Sequence, residues 1–128
     1  MLKDDEELAI AWIRRYELIN RETDQSPAAK SLFWAFQKLD EYCEREPDRA
    51  FALILAIAHL TDNEFVLDNL AAGPLESLLA RNGRVVIDDI EREAPRNDKL
   101  RELLQGVWRN VIEEAVWQRV EKSRSRTS

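Results

Sequence analysis

Few side chains in this 128-residue sequence have the types and spacing that chemistry requires. His59 is the single histidine and Cys43 the single cysteine. A catalytic base at His59 would need a nucleophile in an elbow motif, a second histidine or an orienting acid at a recognisable spacing, and none accompanies it. The expected role is a last-turn histidine beside helix carbonyls. An enzyme or small-ligand protein with an interhelical pocket near His59 is the alternative. Cys43 reads as a small buried hydrophobe rather than a nucleophile. Acids cluster at Asp4 to Glu7, at Asp40, Glu41 and Glu44, at Asp88, Asp89, Glu91 and Glu93, and at Glu113 and Glu114. None reproduces a calcium loop, and none supplies the Glu-x-x-His pairs of a di-iron bundle. No catalytic residue, metal ligand or cofactor is expected, and the acids read as solvated helix faces.

The remaining chemistry is that of contact. Four tryptophans are many for this length, and large aromatics serve both cores and interface hot spots. Trp34 lies beside Phe33 and Phe36, so the three cannot all face inward, and Trp108-Arg109 sets an aromatic beside a planar cation. The candidate protein contacts are Trp34, Trp108 and Arg109, with Asp88, Asp89 and Glu93 because they alternate with an apolar stripe. The formal charge of −6 repels phosphate backbones, and the basic residues are spread along the chain except at Arg119, Lys122, Arg124 and Arg126. Nucleic acid is therefore not expected as a ligand, whereas a protein with a basic surface suits this balance. A homodimer held by an exposed apolar face is a further alternative.

The elements that would position these residues are helical. The chain has 45% hydrophobic and 34% charged residues with only 3 Gly and 4 Pro, the composition of a helix-rich globular protein. One domain over residues 1–122 with a disordered tail at 123–128 is expected. A lone cysteine, an acidic N-terminus and no apolar run near ~20 residues point to a cytoplasmic protein with no membrane span.

Leu8, Trp12, Tyr16 and Ile19 mark a first helix, and Ser26-Pro27 starts a second in which Leu32, Phe33, Phe36, Leu39 and Cys43 face inward. Residues 50–61, AFALILAIAHLT, predict a central helix, with Thr61 and Glu64 as a capping box for the next. Gly73-Pro74 then reads as a corner, Gly73 left-handed and Pro74 opening a fifth helix, and Gly83 as the following corner. Val86, Ile87, Ile90 and Ala94 predict a sixth helix, ended by Pro95 and followed by a cap at Asn97 or Asp98. Leu100 to Trp108 form a seventh stripe, with Gly106 at a kink or close approach, and Val111 to Val120 an eighth. The fold expected is all-α, an irregular bundle of about seven to eight short antiparallel helices, with HEAT-like helical hairpins as one form of it.

At NLAAGPLESLLARNG, IDDIEREA, GVWRN and VWQRV the chain resembles a bacterial family of short helical domains of unknown function, over residues 39–120. That resemblance implies an all-α fold and no catalytic residues. In size, charge and class the chain also looks like the small acidic immunity proteins with which bacteria block cognate toxins. The functional expectation is a non-enzymatic protein-binding domain, with toxin neutralisation as its most concrete version.

Overall fold

The computed structural model describes residues 2–125. Among them there is no strand, and the helices are α1 (Lys3–Arg21), α2 (Pro27–Ser31), α3 (Phe33–Arg45), α4 (Pro47–Leu60), α5 (Glu64–Leu70), α6 (Glu76–Glu93), α7 (Asp98–Gln105) and α8 (Glu114–Ser123). Arg126 and the other two residues of the proposed tail's end, 127 and 128, lie outside the described residues. The fold is the all-α bundle expected from periodicity. No helix among the described residues is long and apolar enough to cross a membrane.

Helix α4 occupies the centre, touching α1, α3, α5, α6 and α7. Its Ala50, Phe51, Leu53, Ile54, Ile57 and Ala58 are buried, the face that its apolar run predicts. In α1, Leu8 and Trp12 share the same core at helical spacing. A half-buried ion pair ties these two helices together: Arg49 donates to Asp5 Oδ1 from Nε at 3.0 Å and from Nη2 at 2.7 Å. The guanidinium also lies 4.2 Å from the centroid of the Tyr42 ring, which shields it from water.

The predicted second helix is two helices. Ser26 Oγ caps α2 by accepting from the Ala29 amide at 3.1 Å, with Pro27 at the first position. The chain leaves helical geometry at Leu32, where short-range bonds from Leu32 N to Ala29 O and from Ala35 N to Leu32 O replace the α pattern. That break rotates Phe33 outward, so it is exposed instead of facing the core.

The Gly73-Pro74 corner is absent. The helix continues through Ala71–Leu75 as one π turn, and no glycine in the described residues has a positive φ. Proline lacks an N–H and its ring crowds the carbonyl four residues back, and the wider turn accommodates both. Glu76 N–H reaches Ala71 O, five residues back. The second corner survives in altered form. Helix α6 runs through Gly83 but kinks at Asn82 (φ −137°, ψ 34°). Asn82 leaves the helix to cap another, because its Nδ2 donates to Cys43 O at 2.7 Å and to Glu44 O at 3.1 Å, the orphan carbonyls of α3. Gly83 is needed for closeness: a Cβ there would lie 2.8 Å from Val116 Cγ1 of α8.

Other caps also differ from the sequence reading. Asn63, not Thr61, caps α5 by accepting from Val66 N at 3.2 Å, while Thr61 Oγ1 accepts from Asn63 N. The C-terminal end of α4 is closed by Lys99, whose ammonium donates to Ala58 O at 2.7 Å, Thr61 O at 2.6 Å and Asp62 Oδ1 at 2.7 Å. Asn97 does cap α7, accepting from Leu100 N at 3.0 Å. Helix α7 ends at Gln105, and residues 107–113 are a loop, so Trp108 and Val111 do not belong to helical stripes.

Candidate protein-contact site

The loop between α7 and α8 is built to hold apolar side chains in water. Gly106 closes α7 at close range, since a Cβ on it would sit 2.9 Å from that of Ala71. The chain then buries Val107, turns through Asn110 in the left-handed region (φ 42°), and buries Ile112. Between these anchors Trp108 is 73% exposed and Val111 81%. Glu76 at the start of α6 fixes the turn with both carboxylate oxygens: Trp108 N–H donates to Oε1 at 3.0 Å and Asn110 Nδ2 to Oε2 at 2.8 Å. Arg109 folds back, donating from Nε to Ile112 O at 3.2 Å while its own carbonyl accepts from Ile112 N at 2.7 Å. It braces the loop instead of pairing with Trp108.

The sequence pointed to Trp108 and Arg109 but not to Glu76 or Val111. Glu76 lies 32 and 34 residues from its partners, and no local pattern marks that relation. Val111 stood in an apolar run that suggested helix, and only the turn at Asn110 puts it into solvent.

The acidic candidates have a different setting. Asp88 pairs with Arg119 of α8 at 2.5 Å, Asp89 with Arg92 at 2.8 Å and Glu93 with Arg96 at 3.0 Å. Arg119 also grips Glu91, in the same fork. The hydrogen bond from Arg119 holds the Glu91 carboxyl below its ordinary range, and the bonds from Arg96 and Asn97 do the same for Glu93. Asp88, Asp89 and Glu93 are therefore each engaged by an arginine of the protein, with Asp88 and Glu91 sharing Arg119. Trp34 is 45% exposed on α3, on a different element from the loop.

Unpaired acids lie elsewhere. A cleft of about 380 Å³ between α5 and α7 is lined by Glu64, Leu67, Asp68, Lys99, Glu102 and Leu103, and it reaches Gly106 at the base of the loop. Lys99 is committed to α4 and Asp62, and its hydrogen bond holds the Asp62 carboxyl below the usual range. No ion pair among the described residues engages Glu64, Asp68 or Glu102. The cleft is thus negative and the loop beside it apolar.

His59 is exposed in the last turn of α4, where its position in the sequence places it, but its contact is with a side chain of α7's cap and not with the helix carbonyls expected. Its Nε2 lies 3.3 Å from Asn97 Nδ2, which also donates to Glu93. It lines none of the three clefts lined by residues drawn from 64–106, 98–124 and 48–96. Cys43 is buried, and burial pushes its thiol up to about 12. No group of three His, Cys, Asp or Glu side chains among the described residues could hold a metal ion.

The chain belongs to a family of unknown function, DUF6869, whose model matches residues 21–128. The match is wider on both sides than the segments at 39–120 suggested, and it takes in Glu76, the cleft and the whole Trp108 loop. All of α1 before Arg21 lies outside it. Neither the curated proteins nor the solved structures contain a match to this chain.

Proposed function

We propose, with membership of that family as the premise, that the domain is a non-enzymatic protein-binding module whose contact surface is the α7–α8 loop and the acidic α5–α7 cleft beside it. The observation that carries this reading is Trp108, 73% exposed on a loop whose conformation Glu76 fixes with two hydrogen bonds. Exposing a tryptophan has no benefit for folding, because burying it would remove ~150–250 Å² of surface from water. Holding the loop backbone that carries it in one conformation has a benefit for binding, since less conformational freedom is lost on contact. Tryptophan is also the residue type most enriched among interface hot spots.

The partner that fits has an apolar pocket for Trp108 and Val111 and basic side chains for Glu64, Asp68 and Glu102. Its most concrete version is a cognate toxin with a basic working surface, which the domain would cover without doing chemistry. The net charge of −6 favours encounter with such a surface.

The test is affinity capture from the source cells with wild-type protein and Trp108→Ala in parallel. A stoichiometric protein partner retained by the wild type and lost by the variant is expected. Equal recovery by both, or no stoichiometric partner, overturns the proposal. Relief of growth arrest on co-expression with a toxin encoded beside the gene would select the neutralising version.

A further inference from the structure

Arg15 stands out among the arginines by what it lacks. Arg49, Arg84 and Arg119 each grip carboxylates with their forks. The Arg15 guanidinium instead lies among rings, 5.0 Å from the Tyr16 centroid, 5.2 Å from Phe33 and 5.4 Å from Phe36. Its Nε is buried without a hydrogen-bond partner. Its Nη groups make no hydrogen bond or ion pair within the protein, and they are not among the buried unpartnered atoms, so they face water. The neighbouring cation Arg14 is directed at Glu17.

A guanidinium with one side covered by rings is partly desolvated, and that strengthens its attraction for an anion arriving on the open edge. Buried polar groups without partners are rare in proteins and ask for an explanation. Here the rings, which cannot accept a strong hydrogen bond, have taken the place of an acceptor and fixed the plane of the fork. Phe33, stacked on Phe36 at 5.4 Å and itself 42% exposed, supplies an apolar wall beside that edge.

We infer that the Nη edge of Arg15 receives a single carboxylate, presented by an acidic side chain of a partner protein that lays an apolar neighbour against Phe33. The fork of Arg15, free of any carboxylate of the protein and set beside an apolar wall, matches a carboxylate monoanion on an organic stem. The subsite belongs to α1 and α3, so its failure would leave the role of the α7–α8 loop untouched.

The experiment titrates ¹⁵N-labelled full-length protein with 3-phenylpropionate, its uncharged amide and inorganic phosphate, following the Arg15 Nε–H and the Phe33 amide. A saturable shift with the acid is expected, with the amide about tenfold weaker or worse. Phosphate should bind no tighter than the acid. Arg15→Met should abolish the response, and Arg15→Lys, which keeps the charge but not the fork, should weaken it. Equal binding of acid and amide to the wild type, tighter binding of phosphate, or an undiminished response in Arg15→Lys would overturn the inference. The amide comparison uses wild-type protein alone and so stands even if Arg15→Met does not fold.

Discussion

Replacing Gly83 by alanine should cost more stability than the same change at Gly73, although both glycines lie within the helical stretch from α5 to α6. Either change gains about 1 kcal/mol of helix propensity, since neither residue has a positive φ that would exclude a side chain. At Gly73 a Cβ meets nothing within 4 Å outside its own turn and its chain neighbours, and the restriction that Pro74 sets on a side chain at the preceding residue offsets part of that gain. At Gly83 the new methyl would lie 2.8 Å from Val116 Cγ1 and 3.2 Å from Cγ2, on the side chain that packs α8 against α6. Such overpacking costs about 1–3 kcal/mol, because Val116 is itself buried and cannot swing aside. Net, Gly83→Ala should be neutral to destabilising by about 2 kcal/mol, and it should fall below Gly73→Ala by up to about 3 kcal/mol. In a thermal melt that places the Gly83→Ala midpoint lower by up to roughly 12 °C for a domain of this size. Val116→Ala should make Gly83→Ala less harmful, with a coupling of about 1–2 kcal/mol, because the methyl would then fill space instead of contesting it. Equal melting of the two glycine variants, or strict additivity with Val116→Ala, would refute the close α6–α8 contact.

Four more outcomes follow from particular contacts. Glu76→Gln should speed hydrogen exchange at the Trp108 amide while changing global stability by about 1 kcal/mol, since an exposed loop and not the core is released. Trp108→Ala should leave the melting temperature nearly unchanged, within about 0.5 kcal/mol, yet weaken partner binding by about 2 kcal/mol or more. Glu91 is held below its ordinary range by Arg119, so its contribution is present above the unfolded carboxyl range and is lost as pH falls through the folded value. Glu91→Gln should accordingly lower stability at pH 7, and the gap from wild type should close as the solution is acidified below about pH 4. The Cys43 thiol, pushed up to about 12 by burial, should resist alkylation at pH 8 until the protein is unfolded. Rapid alkylation of the native protein would contradict its packing under Pro74 O, which the thiol reaches at 3.5 Å.

What could be read from sequence was mostly what depends on neighbours along the chain. The Ser26-Pro27 start, the apolar run of α4, the spacing of Val86, Ile87 and Ile90 and the Asn97 cap all appear in the structure. Crowding of Phe33, Trp34 and Phe36 correctly implied that not all face inward, and Phe33 and Trp34 are the two exposed. Relations across the fold were not legible. Arg119 engages Asp88 from 31 residues away, and Asn82 gives up its helical geometry to serve the end of α3. Gly73-Pro74 misled for a local reason: the same lost hydrogen bond that can end a helix can be absorbed by one wide turn, and the choice rests with the buried faces of Ala71 and Leu75 on either side. Of the contact site, Trp108 was visible by type, but its exposure depends on Glu76 and on the turn at Asn110.

The claim that the Trp108 loop is the surface on which a partner protein docks is tested most directly by site-specific photocrosslinking in the source cells. Benzoylphenylalanine would be placed at position 108 and, as an equally accessible apolar control, at Val85, which is 51% exposed on α6. One discrete heavier adduct containing a second protein is expected from position 108 and not from position 85. The absence of an adduct at position 108, or the same adduct from both positions, would contradict it.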